Sequence, residues 1–294
     1  MTSFQAWKTA ARVHTLPAAV VPVTVGGGLA AGDGSFRWDA FLLALLGAIA
    51  IQLAANFAND VSDAKRGADN ADRVGPPRMV AAGVISAGDM WRGVALAVLV
   101  AALAGVGLVV IAGPVIIAIG VVSILAMLGY VGGPAPYGYR GLGEVFVFVF
   151  FGLVATTGSR YVHDMSVPAD AWLLAIPVGL LAAAILIANN YRDLETDREA
   201  GKRTLAVVMG AKPTKSLFAG LVYGAIALIV VLGAGGWTPR ATMFAGFLLP
   251  FATMPVRIIR TKSDALALIR ALRLTATLHL WTGLVLAAGS AVTI

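Results

Sequence analysis

The chain has no cysteine and carries little charge. With none of its 294 residues cysteine, disulfides, iron–sulfur clusters and thiolate zinc sites are excluded. The three histidines, His14, His163 and His279, lie on separate segments, so a shared histidine metal site is not expected. Charged residues make up 13% of the chain, about half the share of ordinary soluble domains. Since no polar stretch is long enough to form a soluble domain, the composition indicates a membrane protein.

Long apolar runs fill most of the sequence, which is 59% hydrophobic. A helix needs about 20 apolar residues to cross about 30 Å of hydrocarbon. A transmembrane barrel would show short alternating segments instead, and these runs are continuous. The sequence therefore predicts an all-α polytopic membrane protein with nine transmembrane helices, forming one membrane domain over 1–294. The nine runs are 16–32, 38–59, 91–112, 114–131, 144–162, 169–190, 215–235, 241–257 and 274–293.

The distribution of the basic residues predicts the orientation of the chain. Of the 22 Lys and Arg residues, all but Arg37, Arg160 and Arg240 fall on the side that holds the N-terminus. Because cytoplasmic loops collect Lys and Arg, the N-terminus is expected inside and the C-terminus outside. The net charge of +7 suits this topology and an anionic lipid surface, and it does not indicate nucleic-acid binding. Residues 1–15 resemble an interfacial amphipathic helix.

An acidic element occurs twice, at the ends of the second and sixth runs. The first copy reads AANFANDVSDAKRGAD (54–69) and the second IANNYRDLETDREAGK (187–202). Each has an Asn, an Asp four residues later, another Asp about one turn on, and then a Gly. The matched pairs are Asn56 with Asn189, Asp60 with Asp193, Asp63 with Asp197, and Gly67 with Gly201. The two copies therefore repeat chemically equivalent residues as well as the hydropathy pattern.

Helical spacing predicts that each copy forms one polar stripe, because steps of three and four residues keep side chains on one face. Both stripes lie at the same membrane surface and are expected to face each other across a bundle. Carboxylate and amide oxygens in such a cavity favour Mg²⁺, and acids near membrane depth usually have a function. The alternative is that these acids form a solvated loop mixed with bases.

Basic residues accompany both acidic stripes. Carboxylates, Mg²⁺ and interleaved Lys and Arg together suit a diphosphate, which the metal bridges and the basic groups clamp. Lys202 and Arg203 are the leading candidates for this role. The others are Lys65, Arg66 and Arg78.

These motifs resemble the UbiA superfamily of intramembrane prenyltransferases over nearly the whole chain. The similar segments are RVHTLPAAVVPVTVG (12–26), NDVSDAKRGADNADRVGPPRMVAAGVIS (59–86), YVGGPAPYGYRGLGE (130–144) and NNYRDLETDREAGKRTLAV (189–207). Within the superfamily they are most similar to the menaquinone-pathway branch that acts on 1,4-dihydroxy-2-naphthoate.

The resemblance implies nine helices around a central cavity that holds Mg²⁺ and a polyprenyl diphosphate. It also implies transfer of the prenyl chain to an aromatic ring carbon, with loss of the ring carboxylate as CO₂. The catalytic metal ligands would be Asp60, Asp63, Asp193 and Asp197. Asp69 is a further ligand candidate, although it stands six residues after Asp63 where some members have an acid after four.

The remaining candidates would bind the substrates. Asn56, Asn59 and Asn189 would orient ligands or bind phosphate oxygens. The acceptor needs a cation for its carboxylate and an aromatic group for its ring or for the allylic cation. Tyr139 and Arg140 are the candidates for these two tasks.

Two other functions remain open at this point. One is the same chemistry on another acceptor, such as 4-hydroxybenzoate, homogentisate or a haem or chlorin. The other is secondary transport, because transporters also have internal repeats and intramembrane acids. Transporter sites usually lie near the midplane, whereas these acids cluster at one surface.

Overall fold

The computed structural model describes residues 2–67, 75, 77–132 and 136–292, and this part of the chain is helical with no β-strand. Short 3₁₀ turns cover Val13–Thr15 and Tyr137–Tyr139. The helices are α1 (Ser3–Ala11), α2 (Pro17–Gly32), α3 (Trp38–Lys65), α4 (Ala87–Ala112), α5 (Val115–Val131), α6 (Gly143–Asp164), α7 (Ala169–Arg192), α8 (Leu194–Glu199), α9 (Leu205–Met209), α10 (Ala211–Ala234), α11 (Arg240–Thr261) and α12 (Ala265–Ala291).

Each of the nine predicted apolar runs coincides with a helix, namely α2 to α7 and α10 to α12. In the described part of the chain, seven helices are long and apolar enough to cross a membrane. The count rises to eight if Ser3–Thr15 and Pro17–Gly32, bent by 52°, form one span. Helix α5 has 17 residues, about 26 Å at 1.5 Å per residue, which is short for about 30 Å of hydrocarbon. The number nine and the location of the N-terminus stay predictions.

The outer surface of α4 and α5 is apolar. Leu103, Val106 and Val110 on α4 are exposed, as are Ile117 and Leu125 on α5. A soluble monomer rarely leaves such a continuous apolar face to water, whereas lipid tails solvate it. Together with the number of apolar helices, this surface identifies a multi-pass membrane protein.

Glycines let α6 and α7 pack closely. A Cβ added to Gly152 would lie 2.5 Å from the Cα of Gly179, and one added to Gly179 would lie 2.8 Å from the carbonyl oxygen of Phe148. Only residues without a side chain allow these backbones to approach so closely. The contact lies beside a π-helical turn at Phe148–Val154, which interrupts α6 where it lines the interior of the bundle.

Candidate active site

A cavity of about 330 Å³ lies inside the bundle, within the size range of small-molecule sites. Helices α2 to α7 supply most of its wall. At one end the described lining residues include Arg12, Asp63, Arg78 and Lys202, which we call the charged end. The rest of the wall is largely aliphatic and aromatic. The cavity therefore combines a charged end with an apolar interior.

The described side chains that line the charged end are mostly basic. Among the described residues of the cavity wall, the basic side chains are Arg12, Arg78 and Lys202, and the one carboxylate is Asp63. Basic side chains in a partly desolvated wall suit an anionic ligand.

The first acidic motif lies on α3, which continues beyond the apolar run to Lys65. Asp60 accepts hydrogen bonds from the backbone N–H groups of Met79 (3.1 Å) and Val80 (2.9 Å). Its carboxylate thus fixes the turn that follows residue 78. Asp60 lines a separate cavity of about 30 Å³, next to the larger one.

Asp63, one turn further along α3, has partners from three other segments. It accepts hydrogen bonds from Arg78 Nη2 at 2.9 Å and from the Tyr139 hydroxyl at 2.5 Å. Lys202 Nζ lies 3.6 Å from Asp63 Oδ1. The Asp63 carboxylate therefore contacts three segments that meet at the charged end.

The second acidic motif does not lie on one uninterrupted helix as expected, although backbone bonds still join Asp193 N to Asn189 O (3.2 Å) and Asp197 N to Asp193 O (2.7 Å). Helix α7 ends at Arg192, and Asp193 (φ −94°, ψ 12°) separates it from α8, which carries Asp197. Arg192 binds both oxygens of Asp193, with Nε–Oδ1 at 2.7 Å and Nη2–Oδ2 at 2.5 Å. This bidentate pair favours the break because it fixes the carboxylate beside the helix end.

Both copies of the repeat nevertheless end in the same way. Gly67 follows α3 with φ +67°, and Gly201 follows α8 with φ +71°. A left-handed residue after the last turn commonly ends a helix, and glycine adopts it without steric cost. The repeat is therefore structural as well as chemical.

Lys202 joins the two motifs. Its Nζ lies 3.6 Å from Asp63 Oδ1 and 3.7 Å from Asp197 Oδ1, so these two oxygens are separated by no more than the sum of those distances. The four motif carboxylates are between 1% and 6% exposed. A solvated loop would leave them in water, so that alternative is wrong.

Tyr139 holds the 137–142 loop against both motifs. Arg66 and Lys202 lie over its ring, at 4.8 and 4.9 Å from the centroid, and its carbonyl accepts a hydrogen bond from Arg203 N at 3.2 Å. Burial, reinforced by the Asp63 carboxylate, raises the pKa of the Tyr139 phenol. The hydroxyl therefore keeps its proton near neutral pH and acts as a donor to Asp63.

The three asparagines of the motifs make different contacts. The amide nitrogen of Asn56 donates to Ala11 O (2.8 Å) and to Thr15 Oγ1 (3.0 Å), which docks the N-terminal segment on α3. Asn59 lines the cavity and is partly buried. Asn189 lines it as well and accepts a hydrogen bond from Arg192 at 3.1 Å.

Docking of the N-terminal segment brings in residues that the sequence did not indicate. Arg12 ends α1 in the left-handed conformation (φ 47°) and lines the cavity. Gln52, one turn before Asn56, also donates to Thr15, at 3.0 Å. Arg12 begins the 12–26 segment that resembles the UbiA superfamily, which is a sequence signal that could have found it. Its place in the wall depends on the bend between α1 and α2.

Some of the predicted residues lie away from the cavity wall. Lys65, Arg66, Arg140 and Arg203 are exposed. Arg78, Lys202, Asp63 and Asn189 all line the cavity. Asp69 lies outside the described residues.

Aromatic side chains line the cavity next to the 137–142 loop. Tyr137 stacks on Phe146 with ring centroids 3.8 Å apart, and its hydroxyl donates to the Ala126 carbonyl at 2.5 Å. Phe150 continues this wall. Asn190, also on the wall, donates at 2.8 Å to the buried Glu144. Of these residues, Tyr137, Glu144 and Asn190 fall within the segments that resemble the UbiA superfamily, whereas Phe146 and Phe150 do not.

The carboxylates are paired with basic groups and with backbone N–H groups. Accordingly, within the described ranges no group of three or more His, Cys, Asp or Glu side chains is arranged to hold a metal ion. The nearest arrangement to a cation site is the Asp63–Lys202–Asp197 contact, where two carboxylates share one positive group.

Comparison with known proteins identifies the family. The sequence profile described as "UbiA prenyltransferase family" matches residues 19–281. The chain belongs to the UbiA prenyltransferase family. It is therefore an enzyme of a transferase family, and secondary transport is not supported.

Relatives within the UbiA family align with almost the whole chain. The "1,4-dihydroxy-2-naphthoate octaprenyltransferase" of Mycobacterium tuberculosis is 39% identical over 272 residues, which cover 92% of each chain. The "2-carboxy-1,4-naphthoquinone phytyltransferase" of Synechocystis sp. is 30% identical, covering 96% of this chain and 92% of the relative.

A solved structure has the same fold. The structure of a UbiA homologue from Archaeoglobus fulgidus, described as bound to DMAPP and Mg²⁺, superposes with a TM-score of 0.66. The superposition covers 96% of this chain and 99% of that one, at 15% sequence identity. This likeness supports the UbiA fold for the helical bundle.

Proposed function

We propose that this protein transfers a polyprenyl chain from a polyprenyl diphosphate to 1,4-dihydroxy-2-naphthoate. The allylic C–O bond breaks, a C–C bond forms at the ring carbon that bears the carboxylate, and the carboxylate leaves as CO₂. The products are diphosphate and demethylmenaquinol. The observation that carries the proposal is the cavity, whose charged end meets both acidic motifs while the rest of its wall is largely apolar.

The basic groups of the charged end would stabilise the leaving diphosphate. Arg12, Arg78 and Lys202 line this end, so their positive charge is in place before the C–O bond breaks. Fixed charges directed at developing negative charge usually make a large contribution to catalysis. They also explain why the head group of the donor would enter at this end.

Asp63 and Asp197 share the Lys202 ammonium group, and carboxylate oxygens are the ligands that Mg²⁺ prefers in proteins. Asp63 and Asp197 would hold Mg²⁺, with Asp60 and Asp193 next to them in the same motifs, and Asp69 remains a further candidate. When bound, Mg²⁺ supplies positive charge to the diphosphate oxygens. The homologue from Archaeoglobus fulgidus is described with Mg²⁺ and DMAPP, which supports this assignment.

The interior would protect the allylic cation. Its aliphatic wall keeps out water, which would otherwise react with the cation. Tyr137, Phe146 and Phe150 line the cavity, and aromatic rings attract cations. Arg140, exposed in the loop beside Tyr139, remains our candidate for attracting the acceptor carboxylate.

The acceptor is inferred from the names of the relatives. The test is to incubate the purified protein with octaprenyl diphosphate, Mg²⁺ and either 1,4-dihydroxy-2-naphthoate or 4-hydroxybenzoate, and to identify products by mass spectrometry. We expect a prenylated, decarboxylated naphthalene product, loss of activity with EDTA, and recovery with Mg²⁺. Prenylation of 4-hydroxybenzoate alone would overturn the acceptor, and activity that resists EDTA would overturn the metal assignment.

We further infer that residues 1–294 act as one unit in the cytoplasmic membrane of a cell, with the charged end facing the cytoplasm. The positive-inside distribution of Lys and Arg supports this orientation. Both acidic motifs are flanked by the basic loops that the rule assigns to the inside.

A further inference from the structure

The apolar part of the cavity is bordered by glycines from four different helices. Gly47 lies on α3, Gly105 on α4, Gly120 on α5 and Gly158 on α6, and all four line the cavity. We call this glycine-bordered part the tail channel. It lies far from the charged end, because Gly47 and Asp63 are sixteen residues apart on one helix, about 24 Å along its axis.

These glycines differ from the glycines that pack helices together. A Cβ on Gly28 would lie 2.5 Å from the Cα of Ala287, and one on Gly107 would lie 2.8 Å from Leu43. In contrast, a Cβ on Gly105 or Gly120 would meet no described atom within 4 Å outside its own helix and chain neighbours. No helix contact therefore requires glycine at these two positions.

The other two channel glycines also have room. A Cβ on Gly47 would touch Ala104 at 3.7 Å, and one on Gly158 would touch Ile119 at 3.9 Å, both ordinary van der Waals distances. Glycine in the middle of a helix costs about 1 kcal/mol relative to alanine, and neither packing nor a positive φ explains that cost at Gly105 or Gly120. What glycine provides at these positions is empty space inside the cavity.

We propose that Gly105 and Gly120, with Gly47 and Gly158, determine the longest prenyl tail that the protein accepts, by keeping the tail channel open. This inference rests on the proposed function, because it concerns the donor of that reaction. Family membership alone does not determine the length of the prenyl chain, since the relatives described above are named for an octaprenyl and a phytyl chain. A side chain that enters the channel would exclude the distal part of a long tail, while a short tail would not reach it.

The test compares Gly105→Leu and Gly120→Leu with wild type on geranyl and octaprenyl diphosphates, at a fixed acceptor. One misplaced methylene in an apolar pocket changes specificity by about 10- to 200-fold. We therefore expect the ratio of kcat/KM for octaprenyl to that for geranyl diphosphate to fall at least about tenfold in each variant. Matched controls are Gly220→Leu and Gly224→Leu on α10, where a Cβ also meets open space but on the exposed surface.

The outcomes separate this inference from the proposed function. No transfer by the wild type with either donor would contradict the proposed function. Transfer by the wild type with an unchanged chain-length ratio in both channel variants would overturn the role of the glycines alone, as would an equal change in the α10 controls. Gly105→Ala and Gly120→Ala test whether misfolding explains the result. These variants should not lower Tm and should shift the chain-length ratio in the same direction by a smaller factor.

Discussion

At the scale of single residues, the central feature is a lysine between two carboxylates. Asp63 and Asp197 were predicted as site residues from the spacing of the repeat, since matched acids at matched helix ends indicate a shared ligand, and Lys202 was predicted as a basic residue that would clamp a diphosphate. Their partners were not predictable in the same way. The contact of Asp60 with the backbone of Met79 and Val80 depends on how the chain turns after residue 77, which side-chain periodicity does not encode.

Lys202→Met should make the substrate-free protein respond more strongly to Mg²⁺. In the wild type the ammonium group occupies the space between Asp63 and Asp197 and competes with a divalent cation. A ligand that binds the folded state raises its stability by mass action. We therefore expect a larger Mg²⁺-induced rise in Tm in the variant, together with slower turnover because the leaving diphosphate loses a counter-charge.

The control for this prediction is Lys212→Met, which changes an exposed lysine on α10. Thermal unfolding in detergent, with and without Mg²⁺, measures the effect. If Mg²⁺ shifts Tm equally in the wild type and in Lys202→Met, the lysine does not compete for the cation position.

Tyr139→Phe should lower both stability and turnover without changing the shape of the pH–rate profile. Removal of the hydroxyl takes a donor from the buried Asp63, and an unsatisfied buried acceptor costs about 1–3 kcal/mol. Burial raises the pKa of Tyr139, so the phenol does not titrate near neutral pH. Tyr223→Phe on α10 is the matched control. An inflection near neutral pH that is present in the wild type and absent in Tyr139→Phe would contradict the protonated donor.

At the scale of elements, apolar length and charge predicted where helices run but not where they break. The stripe of Asn56, Asp60 and Asp63 does lie on one helix. The helix that carries the second stripe is interrupted at Asp193, next to the bidentate pair that Arg192 and Asp193 form. Such a pair is hard to foresee, since adjacent residues on a regular helix point in different directions.

The contact between α6 and α7 should depend on the absence of a side chain at position 179. A methyl group there would lie 2.8 Å from the Phe148 carbonyl oxygen and 3.0 Å from the Cα of Gly152. Overpacking of this kind costs about 1–3 kcal/mol, so Gly179→Ala should lower Tm in detergent. Gly224→Ala is the control, because open space surrounds that position, and it should leave Tm unchanged or raise it. An unchanged Tm for Gly179→Ala would contradict the close packing.

At the scale of the whole molecule, fold class and family follow from composition and motifs, because lipid imposes apolar length and positive-inside charge on any helical membrane protein. The cavity wall was less accessible to prediction. Most of the wall is formed by six helices together, α2 to α7. The segment that carries Arg12 is docked by a hydrogen bond between Asn56 and Ala11, which are 45 residues apart. Contacts of this kind arise from the assembly of the bundle and not from any local pattern.

Orientation provides a test at this scale. Reporter fusions should place the N-terminus and the 192–214 segment inside the cell and the C-terminus outside, because the basic residues concentrate on one side. An alkaline phosphatase fusion, active only outside the cytoplasm, should therefore be active after residue 294 and inactive within 192–214. The reverse pattern would overturn the inside placement of the charged end.

The long separation between Asp63 and Lys202 has a consequence for biosynthesis. Asp63 leaves the ribosome well before Lys202, and Arg78, only 15 residues away, is synthesised soon after it. The arginine can therefore neutralise the carboxylate while the nascent chain is still incomplete. The lysine arrives only after the sixth apolar segment has been made, so the link between the two motifs can form only late in translation.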